Sequence, residues 1–401
     1  MSYYTSNSRS RQYDRTSRPS RSYQGNQRRN RGAPKKEYIN PERFVSSAKL
    51  VEKVVYQPKY TFDDFQINPL IKQNLAKKGF TAPSSIQDQT IPVALVGRDV
   101  IGIADTGTGK TAAFGIPILQ AAMTSDARAL IIAPTRELAQ QIEVELESLS
   151  RGSNMRTAVL IGGSSMGFQL RQLRARPQLV IGTPGRIKDH IKRGTLRLEN
   201  FKFVVLDEVD RMLDMGFIND VSSILESLSP TRQSFFFSAT MDKKVSALIE
   251  TFASEPVTIS VKTGDTGENI NQDIVRVQTG SSKISVLHDI LIDNKVSKVI
   301  IFDDTQRAVE SLSQELVTRG FKADAIHGGK SQGQRQRSLS KFKQNEVTIL
   351  VATDVAARGI DVSDISHVIN YSMPQSYSDY VHRIGRTGRA GKIGHALTFV
   401  N

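Results

Sequence analysis

Eight consecutive residues, Ala104, Asp105, Thr106, Gly107, Thr108, Gly109, Lys110 and Thr111, have the types and order needed to hold a phosphate chain. Gly107 and Gly109 let the backbone curl so that successive N–H groups face anionic oxygens. Lys110 is placed to reach the β- and γ-phosphates, and the Thr111 hydroxyl to hold Mg²⁺. An apolar run over 100–103 precedes the turn and a helix-like segment over 111–122 follows it. The positive end of such a helix favours the same anion. Where the usual pattern begins with Gly, this chain has Ala104. Taken alone, the stretch also fits a strand-to-helix turn that merely needs glycine.

A second signal lies downstream. The run 203–206 reads Phe-Val-Val-Leu and ends in Asp207, Glu208, Val209 and Asp210. A carboxylate at the end of a buried strand suits Mg²⁺, and a neighbouring Glu can accept the proton of an attacking water. A third strand-like run, 234–237, ends in Ser238, Ala239 and Thr240, whose hydroxyls are small enough to sense a γ-phosphate. Far downstream, His382, Arg383, Arg386 and Arg389 share a turn punctuated by Gly385 and Gly388. Arg stays charged and grips phosphate with a planar fork, so these residues read as fingers placed across a cleft between domains. A solvated basic loop touching RNA phosphates is the alternative. Gln87 offers a donor and an acceptor together, as the edge of adenine requires; by itself it fits a surface polar residue equally well.

These residues need a scaffold, and the hydrophobic pattern supplies one. Strand-like runs occur at 98–104, 130–133, 157–161, 179–182, 203–206 and 234–237. Helical patterns lie between them, as where Leu138, Ile142, Leu146 and Leu149 fall on one face. Near-continuous β-branched runs joined by helices imply a parallel sheet covered on both faces. A polar break over 262–272 interrupts the alternation. It resumes at 274–277, 299–302, 323–326, 349–352, 367–371 and 396–400. The expected organisation is an α/β fold with two domains, 39–262 and 273–401, joined by a linker over 263–272. Only the first carries a P-loop. A small helical unit over 69–78, with Phe62, Phe65 and Phe80 around it, is expected before the first strand.

Composition bounds the setting. The chain has 401 residues and no Cys, which removes disulfides, thiolate metal sites and a Cys nucleophile and suits a reducing, cytoplasmic compartment. No apolar run reaches the ~18 residues of a membrane span. The formal charge is +14, and residues 1–40 hold eight Arg and two Lys against Asp14 and Glu37. Residues 1–38 contain no Val, Leu or Ile, so they are expected to be a disordered basic tail. Tyr3, Tyr4, Tyr13, Tyr23 and Tyr38 interleave with the arginines, offering charge and stacking to a single strand. A solubilising tail or a transit peptide are the alternatives, although a transit helix needs an apolar face that is absent here.

Taken in order, these motifs resemble the DEAD-box ATP-dependent RNA helicases, over about 62–400. Phe62 and the segment 79–87, with Phe80 and Gln87, resemble the adenine-recognising Q motif. Residues 104–111 have the family's own P-loop form, which accounts for Ala104. Pro134 and Arg136 in Pro-Thr-Arg-Glu-Leu-Ala, Gly162-Gly163, and Thr183 and Arg186 in Thr-Pro-Gly-Arg resemble RNA-backbone motifs. Residues 302–307, 327–335 (with Arg335) and 353–361 (with Thr353 and Asp361) match in the second domain, and 382–389 matches the arginine motif without change. The resemblance implies two RecA-like P-loop NTPase domains closing over ATP on one side and bending RNA on the other.

In that implied scheme, Lys110, Thr111 and Asp207 position MgATP, Glu208 orients water, and Arg386 and Arg389 steady the γ-phosphoryl. Asp361 contacts the ribose, while Asp210, Ser238, Thr240 and His382 couple the domains. Pro134, Arg136, Gly163, Thr183, Arg186, Arg335 and Thr353 contact RNA, single-stranded or as a short duplex. Ribonucleoprotein or ribosome-assembly partners and a monomeric state are further expectations. Val209 replaces the usual Ala of the tetrad, and its extra methyls are expected to press toward 238–240. Asp303 and Asp304 stand where small or polar residues are common. The sequence reaches Asn401 directly after its last strand-like run, so a specificity tail is expected at the N-terminal end. Two rival readings are an ATP-gated RNA clamp or scaffold, and a DNA helicase on the same fold.

Overall fold

The computed structural model describes residues 38–48, 56–105, 107–261, 269–357, 362, 364–389 and 392–400. Helices α1 (Pro69–Lys77) and α2 (Ser85–Leu95) precede a first α/β domain. Its strands are β1 (Val100–Ile103), β2 (Arg128–Ile132), β3 (Thr157–Leu160), β4 (Leu179–Gly182), β5 (Phe201–Leu206), β6 (Gln233–Ser238) and β7 (Val257–Ser260). Between them run α3 (Lys110–Ser125), α4 (Arg136–Leu149), α5 (Met166–Arg174), α6 (Pro184–Lys192), α7 (Val209–Asp214), α8 (Ile218–Glu226) and α9 (Lys243–Phe252). The seven strands are parallel in the order β3-β4-β2-β5-β6-β1-β7.

Alternation along each strand sends side chains to two separate cores. Val100, Ile131, Ile181, Val205 and Phe235 face one layer of helices, and Ile101, Leu130, Val180, Val204 and Phe236 face the other. Each such fully buried side chain stabilises the fold by about 1.5–3 kcal/mol. Residues apolar on both faces permit only a covered sheet, so helices are required on each side. Helix α4 starts where the Thr135 hydroxyl accepts the Leu138 N–H, and it buries Leu138, Ile142, Leu146 and Leu149.

The second domain repeats the plan. Its strands are β8 (Ile270–Arg276), β9 (Val299–Phe302), β10 (Ala323–Ile326), β11 (Ile349–Ala352), β12 (His367–Asn370) and β13 (Gly394–Val400). Helices α10 (Lys283–Leu291), α11 (Gln306–Thr318), α12 (Gln332–Lys343), α13 (Asp354–Ala357) and α14 (Tyr377–Ile384) join them. The sheet is again parallel, in the order β10-β11-β9-β12-β13-β8.

Three features depart from the sequence pattern. Strand β8 opens at Ile270, inside the segment expected to be linker, because an edge strand with mixed burial tolerates Asn271, Gln272 and Asp273. Strand β7 has no counterpart among the expected strands, since Ile259 is its single buried residue. Residues 39–48, expected to belong to the first domain, pack instead on the second. There Ser46 forms an antiparallel bridge to Gln272, and Phe44 is fully buried against Tyr380. The expected tail lies, apart from Tyr38, outside the described residues, as do 263–268, Thr106 and Asp361.

Candidate active site and nucleic-acid face

In a parallel sheet the carboxyl ends of all strands open on one side, and binding crevices form there. The P-loop follows β1, the tetrad follows β5 and Ser238 ends β6, three neighbouring strands of the first sheet. Gly107 and Gly109 have φ of 84° and 93°. The φ of Gly109 strains any side chain there, and a Cβ would also displace Gln87 Nε2, 2.4 Å away. Lys110 is the first residue of α3 and is buried, its Nζ donating to Ala104 O at 2.9 Å across the loop. Thr108 Oγ1 donates to Asp105 O, and Ser84 Oγ donates to Thr108 O, each at 2.8 Å. These bonds tie the loop to itself and to Ser84, the residue before α2.

Gln87 is buried, and both ends of its amide face the backbone. Its Oε1 accepts Ser84 N–H at 3.1 Å, and its Nε2 donates to Gly109 O at 3.1 Å. Phe80 lines the same cleft as Gln87. Phe62 lies behind it, buried, with its ring edge-on at 6.2 Å. Of the two aromatics assigned to adenine, Phe80 lines the cleft and Phe62 backs it.

Asp207 and Glu208 are both almost wholly buried. Burial pushes the Asp207 carboxyl up to about 6 despite the nearby Lys110 ammonium. Burial acts on Glu208 in the same sense, yet Arg211, Lys110 and Arg386 together hold it below its ordinary value. Arg211 Nη1 meets Glu208 Oε2 at 2.7 Å. Glu208 therefore stays ionised at neutral pH, able to orient a water as a hydrogen-bond acceptor. Its left-handed φ of 54° turns the chain from β5 into α7.

Asp210 binds the end of β6. Its Oδ2 accepts the N–H groups of Ala239 and Thr240 at 3.1 and 3.0 Å and the Thr240 hydroxyl at 3.2 Å. Ser238 Oγ closes the turn onto Thr240 O at 2.7 Å. Val209 points into the apolar layer containing Leu206, Met212 and Phe236 and is fully buried. Its methyls leave the contacts of Asp210 intact, contrary to the expected pressure on 238–240.

The second domain brings its arginines to the same place. Arg386 and Arg389 line one cleft with Gln87, Lys110, Thr111, Asp207 and Glu208, of about 490 Å³. Backbone carbonyls four residues earlier fix both: Arg386 Nε donates to His382 O at 3.3 Å, and Arg389 Nε to Gly385 O at 2.9 Å. Arg383 is different. Fully buried, it grips both oxygens of Asp354 at 2.6 and 2.7 Å and also donates to Ser372 O at 2.8 Å. It anchors α14 to α13. His382 lines a small pocket beside Phe302, Asp354 and Arg386.

The expected RNA residues divide. Pro134, Gly163 and Thr183 follow β2, β3 and β4, the other half of the same sheet end. The Arg136 guanidinium lies over the Gly162-Gly163 turn, where a Cβ on Gly163 would meet it at 2.4 Å. Burial, then the neighbouring Arg335 charge, lowers the pKa of Arg136. Arg186 Nη1 reaches Ser164 O at 3.4 Å. These side chains cluster. In the second domain, Thr353 is buried under α13, its carbonyl accepting the N–H groups of Ala356 and Ala357. Arg335 does not extend as a lone phosphate ligand: it is buried in an ion pair with Glu137 of the first domain.

Residues 84–248 match the DEAD/DEAH box helicase model and residues 282–391 the helicase conserved C-terminal domain model. A DEAD-box ATP-dependent RNA helicase, CshA of Bacillus licheniformis, is 44% identical over 85% of this chain and 70% of its own length. The chain belongs to the DEAD-box helicase family. It spans about two thirds of the length of the curated relatives it matches. Saccharomyces cerevisiae Dbp5, solved with RNA and ADP BeF3, superposes with a TM-score of 0.75 at 29% identity, over 85% of this chain and 89% of that one. A DEAD box protein from Methanococcus jannaschii is 41% identical, over 85% and 93%, yet scores only 0.50. Both parallel-sheet domains of this DEAD-box chain are RecA-like, matching these helicase structures.

Two residues of this DEAD-box site carry no separate signal in the sequence. Arg211 looks like an ordinary helix-face charge, although its position three after Glu208 places it to pair on one turn. Glu137 stands inside an RNA-motif segment, and nothing local shows that its partner is 198 residues away. Among the described residues no helix is long and apolar enough to cross a membrane.

Proposed function

We propose that the chain is an ATP-dependent RNA helicase that hydrolyses ATP to ADP and phosphate and locally separates short RNA duplexes. One observation carries the reading: phosphate-binding Lys110, paired carboxylates Asp207 and Glu208, and Arg386 and Arg389 from the other domain line a single cleft. Hydrolysis at such a site depends on positioning and charge rather than covalent chemistry. Lys110 leaves the Ala104 carbonyl for the β/γ-phosphates. Gln87 turns its amide from Gly109 to the adenine edge, against the face of Phe80. Glu208 orients the attacking water, and Arg386 and Arg389 stabilise charge developing on the γ-phosphoryl.

The donor set fits Mg²⁺. Asp207 is a buried carboxylate with a raised pKa, which a cation would relieve, and Thr111 supplies a hydroxyl at the start of α3. Mg²⁺ commonly takes only one or two protein carboxylates, the remainder being phosphate and water. Held by Asp207 and Thr111, the cation would supply neutralisation of the phosphate charge.

Arg136, Gly163, Thr183 and Arg186 form the RNA face of the first domain, with contacts directed at the backbone and therefore salt-sensitive. Preference for RNA over DNA requires 2′-hydroxyl contacts. Arg335 acts on RNA indirectly, by holding the two domains together. A cytoplasmic, monomeric protein acting on ribonucleoprotein particles fits this reading. The test is displacement of a labelled strand from a short RNA duplex with ATP, GTP or a non-hydrolysable analogue, beside a DNA duplex of the same sequence. ATP-specific displacement of RNA supports the reading; equal use of both duplexes, or RNA binding without displacement, overturns it.

A further inference from the structure

The segment 38–48 makes contacts that neither domain's nucleotide or RNA chemistry requires. Its 3₁₀ turn, Pro41–Phe44, starts where Asn40 Oδ1 accepts the Glu42 N–H at 3.1 Å. Phe44 is fully buried, its ring 4.5 Å from that of Tyr380 on α14. Arg43 lies 3.7 Å over the ring of Tyr377, the first residue of that helix. Ser46 exchanges two backbone hydrogen bonds with Gln272 of β8, at 3.0 and 2.7 Å, and Tyr380 donates to the Gln272 side chain at 2.8 Å. Ala48 N–H donates to Asn271 Oδ1 at 2.8 Å. The chain then continues into the first domain.

The helix so clasped is the one that leads into the arginines. Ile39 and Phe44 share an apolar cluster with Ile270, Tyr380 and Ile384, and Ile384 is two residues before Arg386. The other side of the arginine turn rests on the same cluster. At Gly388, with φ of 68°, a Cβ would lie 2.7 Å from Ile270. The turn bearing Arg386 and Arg389 is therefore seated on the cluster at Ile384 and at Gly388.

We propose that residues 38–48 are a strap that positions Arg386 and Arg389 for the γ-phosphoryl by completing the apolar seat of α14 and its turn. This rests on the helicase reading above. No residue of the strap lines the cleft; it acts through α14, so its loss should change the rate at which a closed complex reacts more than the binding of either ligand. Displacement of catalytic groups by about 1 Å can cost about 100-fold in rate.

The test uses the full chain with Phe44→Ala, Phe44→Leu and Arg43→Ala. Phe44→Ala should lower kcat at saturating RNA by about 10- to 100-fold. ATP affinity without RNA should stay within two-fold, roughly the scatter of such a comparison. Phe44→Leu, which refills most of the cavity, should restore most of the rate. Hydrogen exchange at residues 377–389 should quicken in Phe44→Ala while exchange at 107–111 stays as in the parent. If Phe44→Ala does not fold, Arg43→Ala combined with Ser46→Pro takes its place, since neither change hollows the core. An unchanged kcat, or exchange that quickens everywhere alike, overturns the strap. If exchange quickens at 377–389 as expected but the parent shows no RNA-stimulated turnover, the fault lies in the helicase reading, and the claim about arginine placement falls with it.

Discussion

Arg335 on α12 donates from Nε and Nη2 to a single oxygen, Oε1 of Glu137 on α4, at 2.7 and 2.6 Å. The two residues belong to different domains, and both side chains are buried. Beside them Gln332 Nε2 donates to Gln140 Oε1 at 2.9 Å. A buried pair of this kind punishes the loss of one partner by about 3–5 kcal/mol when the survivor stays buried. Here the survivor can escape, because opening the cleft returns it to water. The pair therefore acts on the equilibrium between open and closed forms.

Arg335→Ala and Glu137→Ala should each reduce RNA-stimulated ATP turnover, and the double variant should do little further harm. A double-mutant cycle on turnover at saturating RNA should give a coupling of roughly 1–3 kcal/mol. Additive losses would mean that the two side chains act separately, with Arg335 serving RNA alone.

The raised pKa of Asp207 makes a prediction about stability. Burial lifts this carboxyl from an ordinary 3.8 to about 6, so between those pH values the folded chain binds the proton more readily than the unfolded chain. Its favourable contribution is present below about pH 4 and lost as pH rises through 6. Asp207→Asn should therefore stabilise the nucleotide-free protein at pH 7, with the advantage gone by pH 4. Denaturant melts of both proteins at the two pH values check this.

The candidate phosphate site is legible in the sequence because it is local. A glycine-rich turn between a strand and a helix, and carboxylates at the end of an apolar strand, are written in consecutive residues. The strands at 179–182, 299–302, 323–326 and 349–352 are equally legible, since each is a short run bounded by polar or turn residues and paired on both sides or at a covered edge. What the sequence hides depends on residues far apart. Phe44 and Ile39 have no periodicity around them, and their partners Tyr380 and Ile270 lie more than 200 residues downstream. Arg335 is expected to contact RNA through the family resemblance of 327–335, and nothing near it in the sequence hints at the carboxylate it meets in the other domain. Strand β8 looks shorter in the sequence because only Ile270 of its first four residues is apolar.

Gly109→Ala should weaken ATP binding by about 5- to 150-fold while leaving the two sheets intact. The backbone there has φ of 93°, and the new Cβ would meet Gln87 Nε2 at 2.4 Å. Strain of this kind costs about 1–3 kcal/mol, and relief requires moving the P-loop. Fluorescent-nucleotide titration beside a thermal melt separates the two effects. Normal affinity would show that the loop tolerates a side chain and that its turn is not the phosphate cradle.

Deleting residues 1–37 removes eight Arg and two Lys. The fall of RNA affinity with salt should become shallower, by ~0.7 in log–log slope for each phosphate no longer neutralised. ATP turnover at saturating RNA should be nearly unchanged, since every residue lining the cleft lies beyond the deletion. An unaltered slope would leave the segment with a solubilising role.

The claim that one cleft between two domains does the chemistry is tested most directly by ATP turnover of the full chain and of Arg389→Ala, each with and without RNA. An arginine finger contributes about 10³–10⁵ in rate where it acts. The parent should be stimulated strongly by RNA. Arg389→Ala should lose turnover by at least ~1,000-fold with RNA present while binding ATP as the parent does without RNA. Equal RNA-stimulated turnover in both proteins would contradict the account, because the second domain would then contribute nothing to the γ-phosphoryl.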